Sequence, residues 1–326
     1  MELSSNYCLD FGSANIRIGA FKSGVLLTET SCAVTFMSED GERSIVALGN
    51  SALEMYGRLP KVLQHSYLVK DGSLVDVESM IELVRQLFIQ VQERLLWANQ
   101  QVTICHSALM NSEERNGFIH LMKMAGVRRV RFVPRVLAIA TALGLEIQEP
   151  QGRCIIDVGA HLTEIGLISC GVVVKSAVLK IGGDTFSQSL VRYLRQKYAI
   201  EISIRQADKL KELYGTCAVN PDSSEQIEVR GRSLSDNFPS LMYLSHADLC
   251  AGLQAGLNMW LTAVSEFFEE VPIELSTDIV QTGVYLVGGG SQIEGFDWTL
   301  SQRVKFMVFM PDNPAELCIT GAGQKI

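Results

Sequence analysis

Short apolar segments alternate with longer amphipathic segments along most of the chain. The short segments have the length and apolar content of buried strands, and in the longer ones apolar residues recur at helical spacing. Alternation of strands and helices is typical of α/β proteins. The predicted strands are 7–9, 102–106, 130–133, 154–156, 172–179 and 284–287, and the predicted helices are 77–96, 112–125, 136–145, 204–214 and 247–271.

Polar residues mark two predicted helix starts. Ser112 is predicted to cap the helix at 112–125, because its hydroxyl can accept from first-turn amides, and Glu113 and Glu114 suit a helix N-terminus. Asp184 is predicted to cap a further helix after the turn at 181–184. The stretch 31–70 has mixed character and turns, which predicts a small insert.

An internal repeat connects the two halves of the chain. Residues 10–25 align without a gap on 157–172, and each copy follows an apolar strand and predicts strand, tight turn, strand. Two generic β-hairpins are the alternative interpretation, but composition alone would give about one identity. The six identities in sixteen positions are Asp10/Asp157, Gly12/Gly159, Ile18/Ile165, Gly19/Gly166, Gly24/Gly171 and Val25/Val172.

The chemistry of the repeat suits phosphate binding. A turn of small residues after an aspartate collects backbone N–H groups that attract an anion, and Gly12 and Gly159 lack a Cβ that would obstruct it. Asp10 and Asp157 could hold Mg²⁺ through its water molecules. Three glycines at 288–290 follow the strand at 284–287 and would allow close approach to a ligand, although a flexible loop is the alternative.

Composition narrows the class of protein. Of 326 residues, 36 are acidic and 28 are basic, so the formal charge is −8 and a nucleic-acid partner is not expected. With 47% hydrophobic residues the chain can bury large cores. The start of the chain lacks signal-peptide features, which predicts a cytoplasmic protein. Eight cysteines without CxxC spacing predict buried, reduced thiols and no zinc site.

Together these motifs resemble the MreB family of bacterial actin-like proteins, within the superfamily of actin, heat-shock ATPases and sugar kinases. The resemblance is essentially end to end. It implies an α/β actin-like fold of two duplicated domains, each with a smaller subdomain, and a nucleotide cleft between them. The segments that carry it are LDFGSANIRIG, VKDGSLVD, IIDVGAHLTEIGLIS, KIGGDTF, ADKLKELYG, IEVRGRSL and LVGGGSQIEG.

The resemblance also implies domain bounds and partners. Domain I would be 1–148 with an insert at about 31–74, and domain II would be 149–326 with an insert at about 185–244. ATP and Mg²⁺ are the implied ligands. The implied partners are further copies of the chain in a filament, a catalytic homologue, morphogenetic membrane proteins and, weakly, the membrane surface. The implied location is the cytoplasm, peripheral to the inner face of the cell membrane.

Site residues follow from the matching positions. Asp10 and Asp157 would hold Mg²⁺ through water, and the helix with Asp208 and Lys211 would contact the adenosine. On residue type alone, that pair is equally explained as a solvated i,i+3 helix pair. The implied nucleotide-binding residues are Asp10, Gly12, Ser13, Ala14, Asn15, Asp157, Gly159, Ala160, His161, Leu162, Thr163, Asp208, Lys211, Gly288, Gly289, Gly290 and Ser291.

Two departures from the family pattern affect residues that would bind phosphate or position the attacking water. In the second phosphate loop one glycine is replaced by His161 and one threonine by Leu162, whereas Thr163 remains as a candidate contact for water. The family glutamate that positions the attacking water is missing: an alignment anchored on the following helix puts Arg135 in its place, whereas matching the prolines puts Val133 there. A guanidinium stays charged and cannot accept a proton, so we expect impaired hydrolysis, with Arg135 instead binding the γ-phosphate.

Leu95, Leu96 and Trp97 fall at the position of the family's membrane loop. An indole with two leucines at a loop tip suits the lipid interface, although packing of a helix end is the alternative. Only six residues precede the first predicted strand, so the family's N-terminal amphipathic helix is not expected.

Three functions stay open at this stage. The first is a nucleotide-gated filament protein in cell-shape or cell-wall organisation. The second is a nucleotide-free scaffold that regulates an active homologue, which His161, Leu162 and Arg135 favour. The third is a monomeric ATPase or kinase, for which the sequence offers no convincing substrate base. Fold alone does not decide among them, because function depends on the site.

Overall fold

In the computed structural model the described residues are 7–21, 23–91, 101–108, 110–217 and 226–324. Contacts divide the chain into two compact units. Unit 1 comprises Met1–Pro150, Ile168–Val178 and Ala315–Ile326, and unit 2 comprises Gln151–Leu167 and Leu179–Pro314. The domain and insert bounds expected from the sequence stay a prediction.

The secondary structure alternates between strands and helices, as the pattern predicts. The strands are β1 Tyr7–Phe11, β2 Asn15–Ala20, β3 Gly24–Thr30, β4 Cys32–Met37, β5 Arg43–Leu48, β6 Leu63–Tyr67, β7 Val69–Lys70, β8 Ser73–Leu74, β9 Gln101–His106, β10 Arg129–Pro134, β11 Arg153–Val158, β12 Thr163–Ser169, β13 Val172–Leu179, β14 Ile200–Glu201, β15 Ile227–Ser233, β16 Pro239–Leu244, β17 Val284–Val287 and β18 Val308–Phe309. The helices are α1 Gly49–Met55, α2 Val77–Val91, α3 Ser112–Met124, α4 Arg135–Ala142, α5 Gly183–Tyr198, α6 Ile204–Tyr214, α7 His246–Glu269, α8 Ile273–Thr282, α9 Phe296–Val304 and α10 Leu317–Ala322.

Two five-stranded sheets carry the internal repeat. The first has the order β10-β9-β1-β2-β3 and the second, read from its other edge, β18-β17-β11-β12-β13. In the first, β1 pairs parallel with β9 and antiparallel with β2. In the second, β11 pairs parallel with β17. The two copies of the repeat thus occupy equivalent places, which confirms the predicted duplication of the hairpin.

Two further sheets have three strands each. The predicted insert after β3 contains a three-stranded antiparallel sheet of order β5-β4-β6. A second three-stranded sheet of order β14-β15-β16 lies in unit 2. Strand β16 and helix α8 were not predicted, because their apolar residues are sparse and exposed ones such as Leu241, Tyr243 and Val280 blur the pattern.

The core of unit 1 lies on both faces of its sheet. Buried residues of β1 and β2 pack with Leu83, Leu87 and Phe88 of α2 and with Leu121 of α3. Helix α10 lies against α4 so closely that a Cβ on Gly321 would stand 1.7 Å from the Ala138 carbonyl oxygen. Only a glycine permits this approach, which holds α4 in place behind the sheet.

Several local predictions need correction. The side chain of Asn111, not Ser112, caps α3, and Glu114 completes a capping box with it. Asp184 is not a cap, because α5 begins at Gly183 and Gly182 occupies the N-cap position, so that Asp184 lies in the first turn of the helix. Residues 92–96 of the predicted helix 77–96 lie outside the described residues.

The cysteines are mostly buried, as predicted, but Cys170 is exposed because it stands in the turn between β12 and β13. Over the described ranges, no helix is long and apolar enough to cross a membrane.

Candidate functional site

The first hairpin places a half-exposed turn directly after a buried strand. All five residues of β1 are buried, whereas residues 12–14 are partly exposed. A Cβ on Gly12 would stand 2.6 Å from the Asn15 carbonyl oxygen, so the turn itself requires glycine there. Ser31 donates its backbone N–H to the Ala14 carbonyl at 2.8 Å, which ties the turn to the end of β3.

Asp10, at the end of β1, is held by two arginines. Its side chain is only 2% exposed. Arg135 Nη2 donates to Oδ1, and Arg17 Nη1 lies 3.6 Å from Oδ2. Burial acts to raise the pKa of Asp10, but the charges and hydrogen bonds of Arg135 and then Arg17 outweigh it, so the pKa lies below its ordinary 3.8. Asp10 is therefore an ionised carboxylate with a paired guanidinium at each oxygen.

Strand register explains the position of Arg17. In the β1–β2 pair, Asp10 stands directly opposite Arg17. Side chains opposite each other in antiparallel strands point to the same face, so the two are neighbours by construction. Arg17 was not predicted as a site residue, although the strand pairing of the predicted hairpin places it opposite Asp10.

Arg135 is the first residue of α4, directly after β10. A cation is unfavourable at a helix N-terminus, where the macrodipole favours an acid. The Asp10 carboxylate compensates for this.

Arg135 and Arg115 also act on His106. Burial lowers the pKa of His106, and the charges of Arg115 and Arg135 lower it further, while the hydrogen bond from Nδ1 to the Ser107 carbonyl oxygen at 2.7 Å acts the other way. Arg135 thus acts on His106 as well as on Asp10.

The predicted role of Asp10 toward Mg²⁺ does not fit this arrangement. Mg²⁺ keeps its waters, and an outer-sphere carboxylate must accept hydrogen bonds from them. Both oxygens of Asp10 are already paired with guanidinium groups, and two positive charges oppose the approach of a dication. We correct the prediction accordingly: Asp10 holds Arg17 and Arg135.

The second hairpin repeats the backbone of the first. Gly159 donates to the Leu162 carbonyl at 2.8 Å and would place a Cβ 3.0 Å from it, so the turn closes tightly at the same position. Residues 159–162 are half-exposed. The Ala160 carbonyl accepts from the Asp184 backbone at 2.9 Å, and His161 Nδ1 lies 2.9 Å from Asp184 Oδ2. His161, the family's glycine position, therefore ties this loop to the first turn of α5.

Thr163 is committed to the core of unit 2. It is fully buried, its hydroxyl donates to the Ile181 carbonyl at 2.7 Å, and it accepts from Trp260 Nε1 at 2.8 Å. These two hydrogen bonds give Thr163 a structural role in unit 2, and its predicted contact with water stays a prediction.

Asp157 meets the triple glycine at the ends of two parallel strands. Asp157 pairs in register with Val287, and Gly288 follows with φ +90°. A Cβ on Gly288 would stand 2.3 Å from Asp157 Oδ1. Ser291, the last of the implied nucleotide-binding residues, is buried and donates to the Gly288 carbonyl at 2.8 Å. Gly289 and Gly290 remain exposed and half-exposed, respectively.

Asp208 and Lys211 link α6 to α5. Lys211 Nζ donates to the Gly183 carbonyl at 2.9 Å, to Ser187 Oγ at 2.8 Å and to Asp208 Oδ1 at 3.1 Å. Ser187 also donates to Asp208. Lys211 is only 11% exposed, so the pair is not a solvated helix pair, and that alternative is wrong. The predicted contact with adenosine stays a prediction.

The structure thus brings the predicted residues together in two groups. Unit 1 holds Asp10 with the turn at 12–15 and Arg135, and unit 2 holds Asp157, the turn at 159–162, the α5–α6 link and the glycines at 288–290. Leu95, Leu96 and Trp97 lie outside the described residues.

Comparison with known proteins places the chain in a family. Residues 4–326 match the MreB/Mbl protein family. The cell shape-determining protein MreB of Escherichia coli is 29% identical over 325 residues, covering 99% of this chain and 93% of that protein. The crystal structure of MreB5 of Spiroplasma citri bound to AMPPNP has a TM-score of 0.91 at 25% identity, covering 98% of this chain and 95% of that one.

A more distant structure shares the fold. The MamK double helical filament has a TM-score of 0.76 at 15% identity, covering 98% of each chain. The duplicated sheets, the paired hairpins and the family match over nearly the whole length agree, and the chain belongs to the MreB/Mbl family and has its actin-like fold.

Proposed function

We propose that this protein is a bacterial actin-like cell-shape protein that binds ATP and forms or modulates membrane-associated filaments. The observation that carries the proposal is the duplicated hairpin, in which a buried aspartate precedes a half-exposed, glycine-containing turn on each sheet. Such turns suit phosphate groups. Support comes from MreB5, whose structure contains AMPPNP, and from the cell-shape role in the name of the E. coli relative.

The nucleotide contacts proposed are those of the two turns and the glycines. Ser13, Ala14 and Asn15 would contact phosphates from the first turn, and Ala160, His161 and Leu162 from the second. Gly288, Gly289 and Gly290 would approach the nucleotide closely, with Asp208 and Lys211 on the adenosine side. Asp157 is the carboxylate that remains from the predicted Mg²⁺ pair.

Slow hydrolysis is part of the proposal. Arg135 replaces the family's water-positioning glutamate, and its guanidinium is bound to Asp10. General-base assistance typically contributes about 10²–10⁴-fold to a rate, and a guanidinium cannot supply it.

Phosphate release from the purified protein, alongside E. coli MreB, tests the rate. We expect release at least about a hundredfold slower than that of the relative. An equal rate would contradict the proposal.

Filament formation is proposed from the fold and the family. MamK, which has the same fold, has been solved as a double helical filament. Light scattering against protein concentration, with and without ATP, tests this. A signal that rises above a critical concentration and changes with nucleotide is expected, whereas a flat signal would favour a monomeric ATPase or kinase.

A nucleotide-free scaffold that regulates an active homologue is the second candidate. It is favoured by the His161–Asp184 pair and by the Lys211 network, because both use predicted ligand-binding side chains inside the protein. Calorimetric titration with ATP separates the two: micromolar or tighter binding supports the first candidate, and no heat from a folded protein supports the second.

Membrane contact is proposed through Leu95, Leu96 and Trp97, at the inner face of the cell membrane. Trp97→Ser should abolish pelleting with liposomes, because the indole provides most of the apolar surface at the interface. Trp298→Ser is the matched control, since Trp298 is exposed on α9 of unit 2. Equal pelleting of both variants and the parent would contradict this.

A further inference from the structure

We propose that Arg17 and Arg135 take the place of the divalent cation, so that the protein binds the phosphates of ATP without requiring a metal ion. This inference rests on the proposed nucleotide binding and deepens it. A site of this kind would bind Mg²⁺ where both of its carboxylates face the ion, and the Mg²⁺ would neutralise the phosphates. Here the first of the two predicted carboxylates faces guanidinium groups.

The charge of the cluster favours an anion. Arg17 and Arg135 contribute two positive charges and Asp10 one negative charge, so the group has a net charge of +1. This is unusual in a chain with a net charge of −8. A magnesium ion would be repelled from such a group, whereas a triphosphate would be attracted.

Exposure separates the acid from the bases. Asp10 is 2% exposed, while Arg17 and Arg135 are 18% and 19% exposed. The part of the cluster that solvent reaches therefore belongs to the guanidinium side chains. An incoming anion would meet these groups first, and a hydrated cation could reach the carboxylate only by displacing them.

The chemistry of arginine suits the replacement. A guanidinium has five N–H donors in a planar fork that matches phosphate oxygens. Arg135 Nη2 donates to one carboxylate oxygen of Asp10, and Arg17 Nη1 lies 3.6 Å from the other. Asp10 then acts as a positioning residue that orients the two arginines.

Calorimetric titration of the purified full chain with ATP, once with excess Mg²⁺ and once with excess EDTA, tests the inference. We expect dissociation constants that agree within about threefold. If binding in EDTA is weaker by about tenfold or more, the metal is required and the inference is wrong while the proposed nucleotide binding stands. Absence of binding in both buffers would overturn the proposed function as well.

Reversing the charge at Arg135 sharpens the test. Arg135→Glu should weaken binding in EDTA by at least about tenfold, because one cation is lost and an anion is added, and Mg²⁺ should restore part of the loss. Arg129→Glu is the matched control, since Arg129 is exposed at the start of β10, the strand that precedes Arg135, and undergoes the same change of charge. Equal affinity of Arg135→Glu and the parent in EDTA would overturn the inference.

A milder variant guards against loss of the fold. Arg17→Gln keeps Arg135 on Asp10, and thermal unfolding confirms that the protein is folded. We expect binding in EDTA to weaken by about tenfold while binding in Mg²⁺ weakens less. Equal weakening in the two buffers would show a loss of positioning rather than of the charge that replaces the metal, and would overturn the inference.

Discussion

The two hairpins share a backbone and differ in the charges around it. In the first, Arg17 stands opposite Asp10 on β2. At the aligned position of the second is Glu164, which is buried near the start of β12. A glycine closes each turn in the same way: a Cβ would stand 2.6 Å from the turn carbonyl oxygen at Gly12 and 3.0 Å from it at Gly159. Turn geometry therefore constrains the repeat more strongly than the chemistry beside it.

The same contrast holds one residue earlier in each second strand. Ile16 is a fully buried apolar residue, whereas the aligned Thr163 connects Trp260 to the Ile181 carbonyl. Ion pairs at Asp10 therefore support the first hairpin, whereas Thr163 supports the second through neutral hydrogen bonds. Perturbing each kind of support should have different signatures.

The largest effect is expected where α10 supports the first hairpin from behind. Gly321→Ala would force a methyl group to within 1.7 Å of the Ala138 carbonyl oxygen, so α10 must move away from α4. We expect a loss of about 3 kcal/mol in the free energy of unfolding, measured with urea. Gly117→Ala in α3 is the control, because nothing lies within 4 Å of its Cβ, and it should be neutral or stabilising.

The next effect removes an ion pair from the first hairpin. Arg135→Ala leaves buried Asp10 with Arg17 alone, and we expect a loss of about 2 kcal/mol at neutral pH. The folded-state pKa of Asp10 lies below 3.8, so the pair stabilises the fold above that pH and the contribution is lost as the pH falls through the folded-state pKa. The difference between variant and parent should therefore shrink in acid.

Urea unfolding of both proteins between neutral and acidic pH measures this difference, with Arg129→Ala as the control at an exposed position of β10, the strand that precedes Arg135. A difference that stays constant with pH would contradict an ion-pair role for Arg135.

A smaller effect is expected from the neutral support of the second hairpin. Thr163→Val keeps the shape of the side chain but leaves the Trp260 N–H and the Ile181 carbonyl without this partner. The expected loss is about 1.5 kcal/mol, independent of pH between neutral and mildly acidic conditions. Thr163→Ser, which keeps the hydroxyl, should recover most of it; failure of that rescue would point to packing instead.

The smallest effect concerns the residue that replaces a family glycine. His161 and Asp184 are partly exposed, so their coupling in a double-mutant cycle of His161→Ala and Asp184→Ala should be about 0.5 kcal/mol. A coupling of zero would mean that the pair does not fix the loop, and the case for the scaffold function would weaken.

Periodicity predicted the elements of an α/β fold, and the family resemblance implied their actin-like arrangement. The hairpins, α6 and β17 coincide with their predictions because each has a clear apolar pattern and a turn at both ends. Helix α8 and strand β16 were not predicted, because exposed apolar residues hide their buried faces. The N-cap of α3 was predicted one residue too late.

The site was harder to predict because its partners are distant in the chain. Arg135 was identified as a departure, but its pairing with Asp10 joins residues from β1 and α4 that only the parallel sheet brings together. The contacts of Lys211 with α5 likewise depend on the packing of two helices. Local pattern carries no information about such pairs, whereas the position of Arg17 could have been deduced from strand register.

The close packing of α10 on α4 has a consequence for synthesis. Unit 1 includes Ala315–Ile326, which leave the ribosome long after the strands that they cover. The stretches of unit 2 all precede that segment, so unit 2 can complete its core first, although the chain begins with unit 1. Because domains generally fold as their sequence emerges, the nascent chain must carry an unfinished first unit until α10 arrives, and chaperones would find their binding surface there.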